Sequence, residues 1–535
     1  MRKILMTICT LLTALMCVYA QQGGNGMPEQ LTKLMFSENI ITRFYVDSVN
    51  EPKIVEAGIK AMLKELDPHS TYSTPKEVKS LNEAMQGNFE GIGIQFNLVE
   101  DTLFVIQTTL NGPSEKAGIL PGDRIVSVND TTIAGVKMDR GEIMRRLRGP
   151  KGTVVKIDVR RRNVPTQLTF NLTRDKINTY TVDAAYMIDK KNGYIHINSF
   201  AATTYEEFSA KLDSLQRLGM KNLIIDLQGN GGGFLNEAVE IANELLERTQ
   251  LIVYTEGRVF PRYDYLAQGG GRFTKGNVAV IIDETSASAS EILAGAIQDW
   301  DRGVVVGRRS FGKGLVQRAF NLPDGAMIRL TISRYYTPSG RNIQKPYGDS
   351  ISYGSDLMER YNRGELTTAD SIHFPDSLMM QTKRLQRTVY GGGGIMPDYF
   401  VPLDTARYTK YHRDIVSHGI MLQTSLRYLD ENREELKKRY PDFKSFKKEF
   451  VVDEKLLTSL REAAARDSIK LQGGEEEYLK SVPMLSLQLK ALLARDLWEM
   501  SEYMQIINEH DDNFKKALEL VQTRNMDAVL TRKKK

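Results

Sequence analysis

Between residues 175 and 403 the chain alternates short, wholly apolar runs with stretches of helical periodicity, and this alternation narrows the fold more than any other feature. The runs cover 194–197, 223–227, 278–282 and 304–307, and the helical stretches cover 205–218, 235–246 and 288–300. Short apolar runs bounded by turn signals read as buried strands, and longer one-faced patterns read as helices. A strand at 316–321, the turn Pro323-Asp324-Gly325 and a strand from 327 to 333 read as a hairpin. The expected core is α/β with a mixed sheet.

Length adds a second bound. A chain of 535 residues is too long for one hydrophobic core, so several folding units are expected. With 72 basic and 67 acidic residues the net charge is +5, without the basic stripe of a dedicated nucleic-acid binder. Residues 27–86 carry apolar positions at helical spacing, including Ile40, Ile41, Phe44, Ile59, Leu63 and Leu66. From about Asp404 the chain turns helix-rich and charged, ending in Arg532-Lys533-Lys534-Lys535. This part carries no catalytic motif and reads as a solvated helical appendage.

The N-terminus has the layout of a secretory signal. Arg2 and Lys3 precede an uncharged apolar run from Ile4 to Val18, and Val18-Tyr19-Ala20 places small residues three and one positions before a cut. The run is shorter than the ~20 residues a spanning helix requires. Cleavage after Ala20 is expected, with export to the periplasm or cell envelope. Both cysteines, Cys9 and Cys17, fall inside this segment, so the exported chain has no disulfide, thiolate metal site or cysteine nucleophile.

From Asn88 the pattern changes to short strands and turns. Gly118-Ile119-Leu120-Pro121-Gly122-Asp123, Ile125 and Val128-Asn129 are followed by a helical stretch at 140–147 and a strand at 154–160. Over roughly ninety residues this resembles a PDZ domain. In that setting Gly91, Ile92, Gly93 and Ile94 are the candidate peptide-binding residues. Glycines let backbone N–H groups converge on a terminal carboxylate, and the strand that follows offers an open edge to an added peptide strand.

Two segments are candidates for chemistry. Thr285-Ser286-Ala287-Ser288-Ala289-Ser290-Glu291 lies between a strand and a helix, where free N–H groups and the helix dipole favour an anion. Ser288 to Glu291 also has the spacing of a capping box. Phe311-Gly312-Lys313-Gly314-Leu315-Val316-Gln317 holds a glycine-flanked lysine. Desolvation disfavours an ammonium, so a buried lysine can take a proton from serine, and Gln317 is placed to orient its amine.

Together, Ser-Ala-Ser-Ala-Ser-Glu-Ile and Phe-Gly-Lys-Gly-x-Val-Gln resemble the carboxyl-terminal processing (tail-specific) protease family. Leu66-Asp67-Pro68-His69-Ser70, the loop Gly229-Asn230-Gly231-Gly232-Gly233 and Arg334 to Gln344 fit the same family, so the resemblance runs from about 35 to 403. It implies Ser288 as nucleophile, Lys313 as general base and then acid, and Gln317 as the residue that positions Lys313. It implies an oxyanion hole of backbone N–H groups, placed at Ala289 and Gly232. Gln228 and Gly231 stand where the family often has Arg and Pro.

The expected fold class is multidomain α/β (α+β): a mixed-sheet protease core with an inserted PDZ domain, N-terminal helices and a helical C-terminal extension. The expected segments are a signal peptide at 1–20, a helical region at 21–87, a PDZ domain at 88–174, a serine protease core at 175–403 and the extension at 404–535. The expected activity is a serine endopeptidase that binds apolar C-terminal tails and cuts by a Ser–Lys dyad, without metal or cofactor. An adaptor protein, a peripheral membrane contact and self-association are the other partners considered, and no nucleic acid is expected. The alternative is a non-catalytic PDZ scaffold or holdase, which needs the groove but not Ser288, Lys313 and Gln317 together. Position 231 is Gly, so the loop is not a Gly-Asn-Ser-Gly-Gly nucleophile loop. No His-Glu-x-x-His and no Gly-Lys-Ser/Thr phosphate loop occurs.

Overall fold

The computed structural model describes residues 27–109, 111–348 and 353–531. The export signal at 1–20 and the basic tail from Arg532 lie outside the described residues. The described residues fall into two compact units, one of 27–74 with 319–330 and one of the remaining described residues from 75 to 318 and from 331 to 531.

In the first unit, the helices Glu29–Phe44 and Glu51–Lys64 precede the strand Thr71–Ser73. Asn50 caps the second helix by accepting the Lys53 N–H at 3.2 Å. Asp67 shapes the turn that follows. Its carboxylate accepts the His69 and Ser70 N–H groups at 2.8 and 2.9 Å and the Ser70 hydroxyl at 2.6 Å. The turn leads into the antiparallel pairing of Thr71–Ser73 with Met327, Ile328 and Arg329. The helical spacing of Ile40, Ile41 and Phe44 is realised, but Glu29–Phe44 buries no side chain.

The second unit is built on a six-stranded sheet in the order Ala184–Met187, Asn192–His196, Asn222–Asp226, Val278–Ile282, Val304–Gly307, Tyr399–Phe400. The first pair is antiparallel and the rest are parallel. Every residue of Val278–Ile282 and Val304–Gly307 is buried. Strands covered on both faces read as continuous apolar runs, which is why these segments stand out in the sequence. On one face lie Thr204–Arg217, Leu235–Leu245 and Ala289–Asp299, whose Phe208, Ile241 and Leu293 share a core with Ile225 and Val280.

The other face is covered from the end of the chain. Phe514, Ala517 and Val521 of the helix Asp512–Val521 share a core with Tyr194, Ile224, Ile281 and Val306. The expectation of a solvated appendage after residue 404 is overturned. Alternate residues of the strands point away from the first helical layer, and these helices supply the apolar surface that keeps them from water. The helices from Lys410–Ser417 to Met500–Ile507 also enclose a core of their own, with Leu429, Phe446, Leu460, Leu485 and Leu493 at its centre. Among the described residues no helix is long and apolar enough to cross a membrane.

The PDZ segment is an antiparallel sheet in the order Ile94–Val99, Thr102–Thr108, Arg124–Val128, Val154–Arg160, Leu168–Thr173. Leu103, Ile125, Ile143, Val155 and Ile157 form its core. Buried Asp123 holds the Leu120-Pro121-Gly122-Asp123 turn: it accepts the Leu120 N–H at 2.9 Å and two bonds from the Arg161 guanidinium, both at 2.8 Å. The segment's two ends are tied together, since Asn88–Gly91 pairs antiparallel with Asp175–Asn178. That short ladder lets a whole domain sit within another chain segment without disturbing it.

Removing the cover should expose the sheet. Phe514→Ala is expected to cost about 3–5 kcal/mol, the usual loss for a buried Phe. Hydrogen exchange at Ala279 to Ile281 is the check. Unchanged protection would mean that the C-terminal helix contributes nothing to the sheet.

Candidate active site

The serine-rich run leaves the strand Val278–Ile282 and enters the helix Ala289–Asp299. Three serines compete for one role, and their hydroxyls separate them. The Ser286 hydroxyl donates to the Leu227 carbonyl at 2.8 Å, and the Ser290 hydroxyl donates to the Asn230 carbonyl at 3.0 Å. Both residues are fully buried, whereas Ser288 is half-buried. Ser288 also has φ +57° and ψ −112°, a conformation that a non-glycine residue adopts at a cost of about 1–3 kcal/mol. A strained serine on a sharp strand-to-helix turn is lifted out of the surface rather than laid into it.

The glycine loop packs directly on this turn. Asn230 is buried; its side-chain amide donates to the Ile197 carbonyl at 2.7 Å, and its own carbonyl accepts the Ala287 N–H at 3.0 Å. Gly232 has φ +96°, and a Cβ there would stand 2.7 Å from the Ser288 Cβ and 3.0 Å from the Ala289 nitrogen. Only glycine fits so close an approach. The Gly232 N–H donates to Asn230 Oδ1 at 2.8 Å. Ala289 is the first residue of its helix, where an N–H has no intrahelical acceptor.

Two buried side chains clamp the serine turn to the lysine loop. Glu291, fully buried, receives four donors. Its Oε2 accepts the Ser288 N–H at 2.8 Å and the Lys313 N–H at 2.9 Å; its Oε1 accepts the Gly312 N–H at 2.7 Å and the Ser310 hydroxyl at 2.5 Å. Tyr335 works on the carbonyls: its hydroxyl is 2.5 Å from the Lys313 oxygen and 3.2 Å from the Ser288 oxygen. Burial and the nearby Glu291 charge push the Tyr335 phenol up, so it stays a donor. Burial, working against the four donors, pushes the Glu291 carboxyl from an ordinary 4.5 to about 7.

Neither clamp residue was assigned from the sequence. Glu291 read there only as the far end of a capping box, and one arm of that box, Ser288 N–H to Glu291, is indeed formed. Its other partners lie some twenty residues downstream. Tyr335 sits in the Arg334-Tyr335-Tyr336 motif, which was the available signal. Lys313 itself is half-buried. Gln317 is on the strand Leu315–Asn321 and its amide donates to Thr331 Oγ1 at 3.1 Å.

Of the PDZ candidates, Ile92, Gly93 and Ile94 line a separate cavity of about 340 Å³, and Gly91 is not in its lining. The Ile92 carbonyl accepts the Ser114 N–H at 3.0 Å and hydroxyl at 2.7 Å, and the Gly93 carbonyl accepts the Thr109 N–H at 3.0 Å. Trans peptide planes then turn the Gly93 and Ile94 N–H groups the opposite way. Ile94–Val99 is the edge of its sheet, and Arg140–Leu147 forms the facing wall. Gly91 instead pairs with Asp175 in the short ladder that joins the segment's ends.

A strained serine above a helix start, a glycine loop against it and a lysine loop clamped beside it make the arrangement of a serine peptidase. Comparison with known proteins agrees. The model of Peptidase family S41 matches residues 191–349, and that of the PDZ domain matches 107–161. A family of unknown function matches 411–499. The carboxy-terminal processing protease CtpA of Bacillus subtilis is 32% identical over 329 residues, which is 61% of this chain and 70% of that protein. The carboxy-terminal-processing protease of Bartonella bacilliformis is 32% identical over 368 residues, 67% of this chain and 81% of that protein. Among solved structures, the photosystem II D1 C-terminal processing protease is 26% identical, covers 59% of this chain and 90% of its own, and has a TM-score of 0.33. The chain belongs to the carboxy-terminal processing proteases of peptidase family S41.

The Glu291 shift has a sign that can be checked. Between about 4.5 and 7 the folded chain keeps a proton on Glu291 that an unfolded glutamate has released. The stability this contributes is full below 4.5 and is lost as pH rises through about 7. Glu291→Gln removes the titration. Unfolding midpoints measured across this range should therefore fall more steeply with pH in the wild type than in the variant. Parallel curves would show that Glu291 does not titrate there.

Proposed function

We propose that the protein is an exported serine endopeptidase that captures proteins by an apolar C-terminal tail and cuts them near that end with a Ser288–Lys313 dyad. The observation that carries the reading is the clamp: one carboxylate oxygen accepts the backbone N–H groups of both residues. Lys313 in its neutral form takes the Ser288 hydroxyl proton as Oγ attacks the scissile carbonyl. The Ala289 N–H stabilises the oxyanion, and the Gly232 N–H joins it when its bond to Asn230 opens. Lys313 then protonates the departing amine, and water hydrolyses the acyl-enzyme. Gln317 holds the lysine amine in line. No metal or cofactor enters this scheme.

The PDZ cavity takes the substrate's terminal carboxylate on the Gly93 and Ile94 N–H groups, and the tail adds as a strand to Ile94–Val99. Holding the tail there raises the local concentration of the upstream chain at Ser288. The apolar run at 4–18 supports export, with Gln21 as the mature N-terminus.

The test is degradation of a loosely folded protein with an apolar C-terminal tail. Ser288→Ala should lower the rate at least about a thousandfold. Lys313→Ala should lower it on the order of a hundred- to ten-thousandfold, the range of a general base. Both variants should unfold like the wild type. Equal cleavage by Ser288→Ala would remove the nucleophile. A wild type that binds the tail without cutting it would favour the scaffold.

A further inference from the structure

The tail-binding cavity is not made by the PDZ segment alone. Leu422 of the helix Ile420–Arg439 and Arg495 of the helix Gly474–Leu497 line it together with Ile92 to Phe96, Arg140, Met144 and Arg148. Three kinds of contact hold these helices in place. The Gln107 side chain caps the end of the second helix, donating to the Arg495 and Trp498 carbonyls at 2.9 and 3.1 Å. Leu426 is buried with Val99 and Ile106. Asp430 accepts from Arg124 at 2.7 Å and from Arg162 at 3.2 Å.

The charge of the cavity is one-sided. Its lining contains Arg140, Arg148 and Arg495 and no carboxylate. Arg148 meets Glu83 at 2.7 Å and Arg495 Nε meets Asp496 at 2.7 Å, but both carboxylates lie outside the lining. Arg140 stands 5.4 Å from the centre of the Phe96 ring. An extended peptide lying on Ile94–Val99 would run between the apolar floor and these guanidinium groups, so acidic side chains on it gain attraction that neutral ones do not.

We propose that the C-terminal helical region completes the tail-binding groove, and that Arg495 and Leu422 are specificity residues selecting tails with acidic residues just upstream of an apolar terminus. The inference rests on the groove being the tail site of the proposed function. Leu422 supplies apolar contact to any tail, and Arg495 supplies the preference for acidic ones.

The experiment uses the full-length Ser288→Ala chain and two fluorescent twelve-residue peptides. Both end in Val-Ala-Ala; one carries two glutamates within the six preceding residues and the other carries glutamines. Anisotropy titrations should show the acidic tail binding about three- to tenfold tighter at low salt, with the gap narrowing as salt rises. Arg495→Gln should cut the ratio at least about twofold, with the loss falling mainly on the acidic tail and Arg140 and Arg148 keeping the remainder. Arg495→Lys, which keeps the charge, should retain most of the preference and controls for misfolding. Leu422→Ala should weaken both tails severalfold. A ratio unaltered by Arg495→Gln, or no preference in the starting chain, overturns the inference alone. The same tails with an amidated C-terminus test the groove itself. Binding that survives amidation, or no binding of either tail, overturns the carboxylate-site reading and this inference with it.

Discussion

A buried carboxylate is costly, and Glu291 is tolerable only because four donors surround it. Removing a carboxylate from water costs several kcal/mol, whereas each hydrogen bond to a charged group returns roughly 1.5–3 kcal/mol. Glu291 also lies in the first turn of Ala289–Asp299, where the helix dipole favours negative charge. These donors come from two places, the serine turn and the loop 310–313, so neither can move without leaving a buried N–H unpaired. The strain at Ser288 is held by the same bond, because it is the Ser288 N–H that the carboxylate accepts. Tyr335 closes the arrangement from the carbonyl side. The positions of Ser288 and Lys313 therefore follow from one acceptor and one donor, both inaccessible to solvent.

What could be read from the sequence was local. Strands at 278–282 and 304–307, the strand at 154–160 and the helix at 140–147 have the bounds their apolar patterns indicate. The turn chemistry around Asp123 likewise follows from a Pro-Gly-Asp run. The candidate site was legible as residue types at family spacing but not as geometry. Ser286, Ser288 and Ser290 alternate with alanine, and nothing in that run distinguishes them. Distinction comes from Leu227 and Asn230, whose carbonyls take two of the hydroxyls from far upstream in the chain. Asn230 looked like one more polar residue in a glycine loop, yet it joins three segments through its side chain and carbonyl.

The largest misreading, the solvated extension, has a topological cause. From Asn192–His196 through Asn222–Asp226 and Val278–Ile282 to Val304–Gly307, each new strand is added on the same side of the last. Crossovers between parallel strands are right-handed, so a sheet that grows in one direction collects its crossover helices on one face. That is where Thr204–Arg217, Leu235–Leu245 and Ala289–Asp299 lie. The opposite face receives none of them, although its residues are apolar. Apolar strands with a bare face demand a cover from elsewhere in the chain, and the helices beyond residue 404 are the remaining apolar supply.

This requirement gives the extension two attachments that differ in kind. Against the sheet, Phe514, Ala517 and Val521 make a dry apolar contact that stability alone demands. Against the PDZ segment, Leu426 is buried with Val99 and Ile106, and around that small apolar contact Gln107, Arg124 and Glu100 make polar contacts with helix ends and with Asp430 and Arg427. Polar contacts at partly exposed positions are weak one by one, and they fix orientation more than they supply energy. A region anchored firmly on the protease sheet therefore reaches the PDZ cavity through contacts suited to setting its shape. The wall that Leu422 and Arg495 contribute to the PDZ cavity is held by the fold of the protease core as much as by the PDZ domain itself.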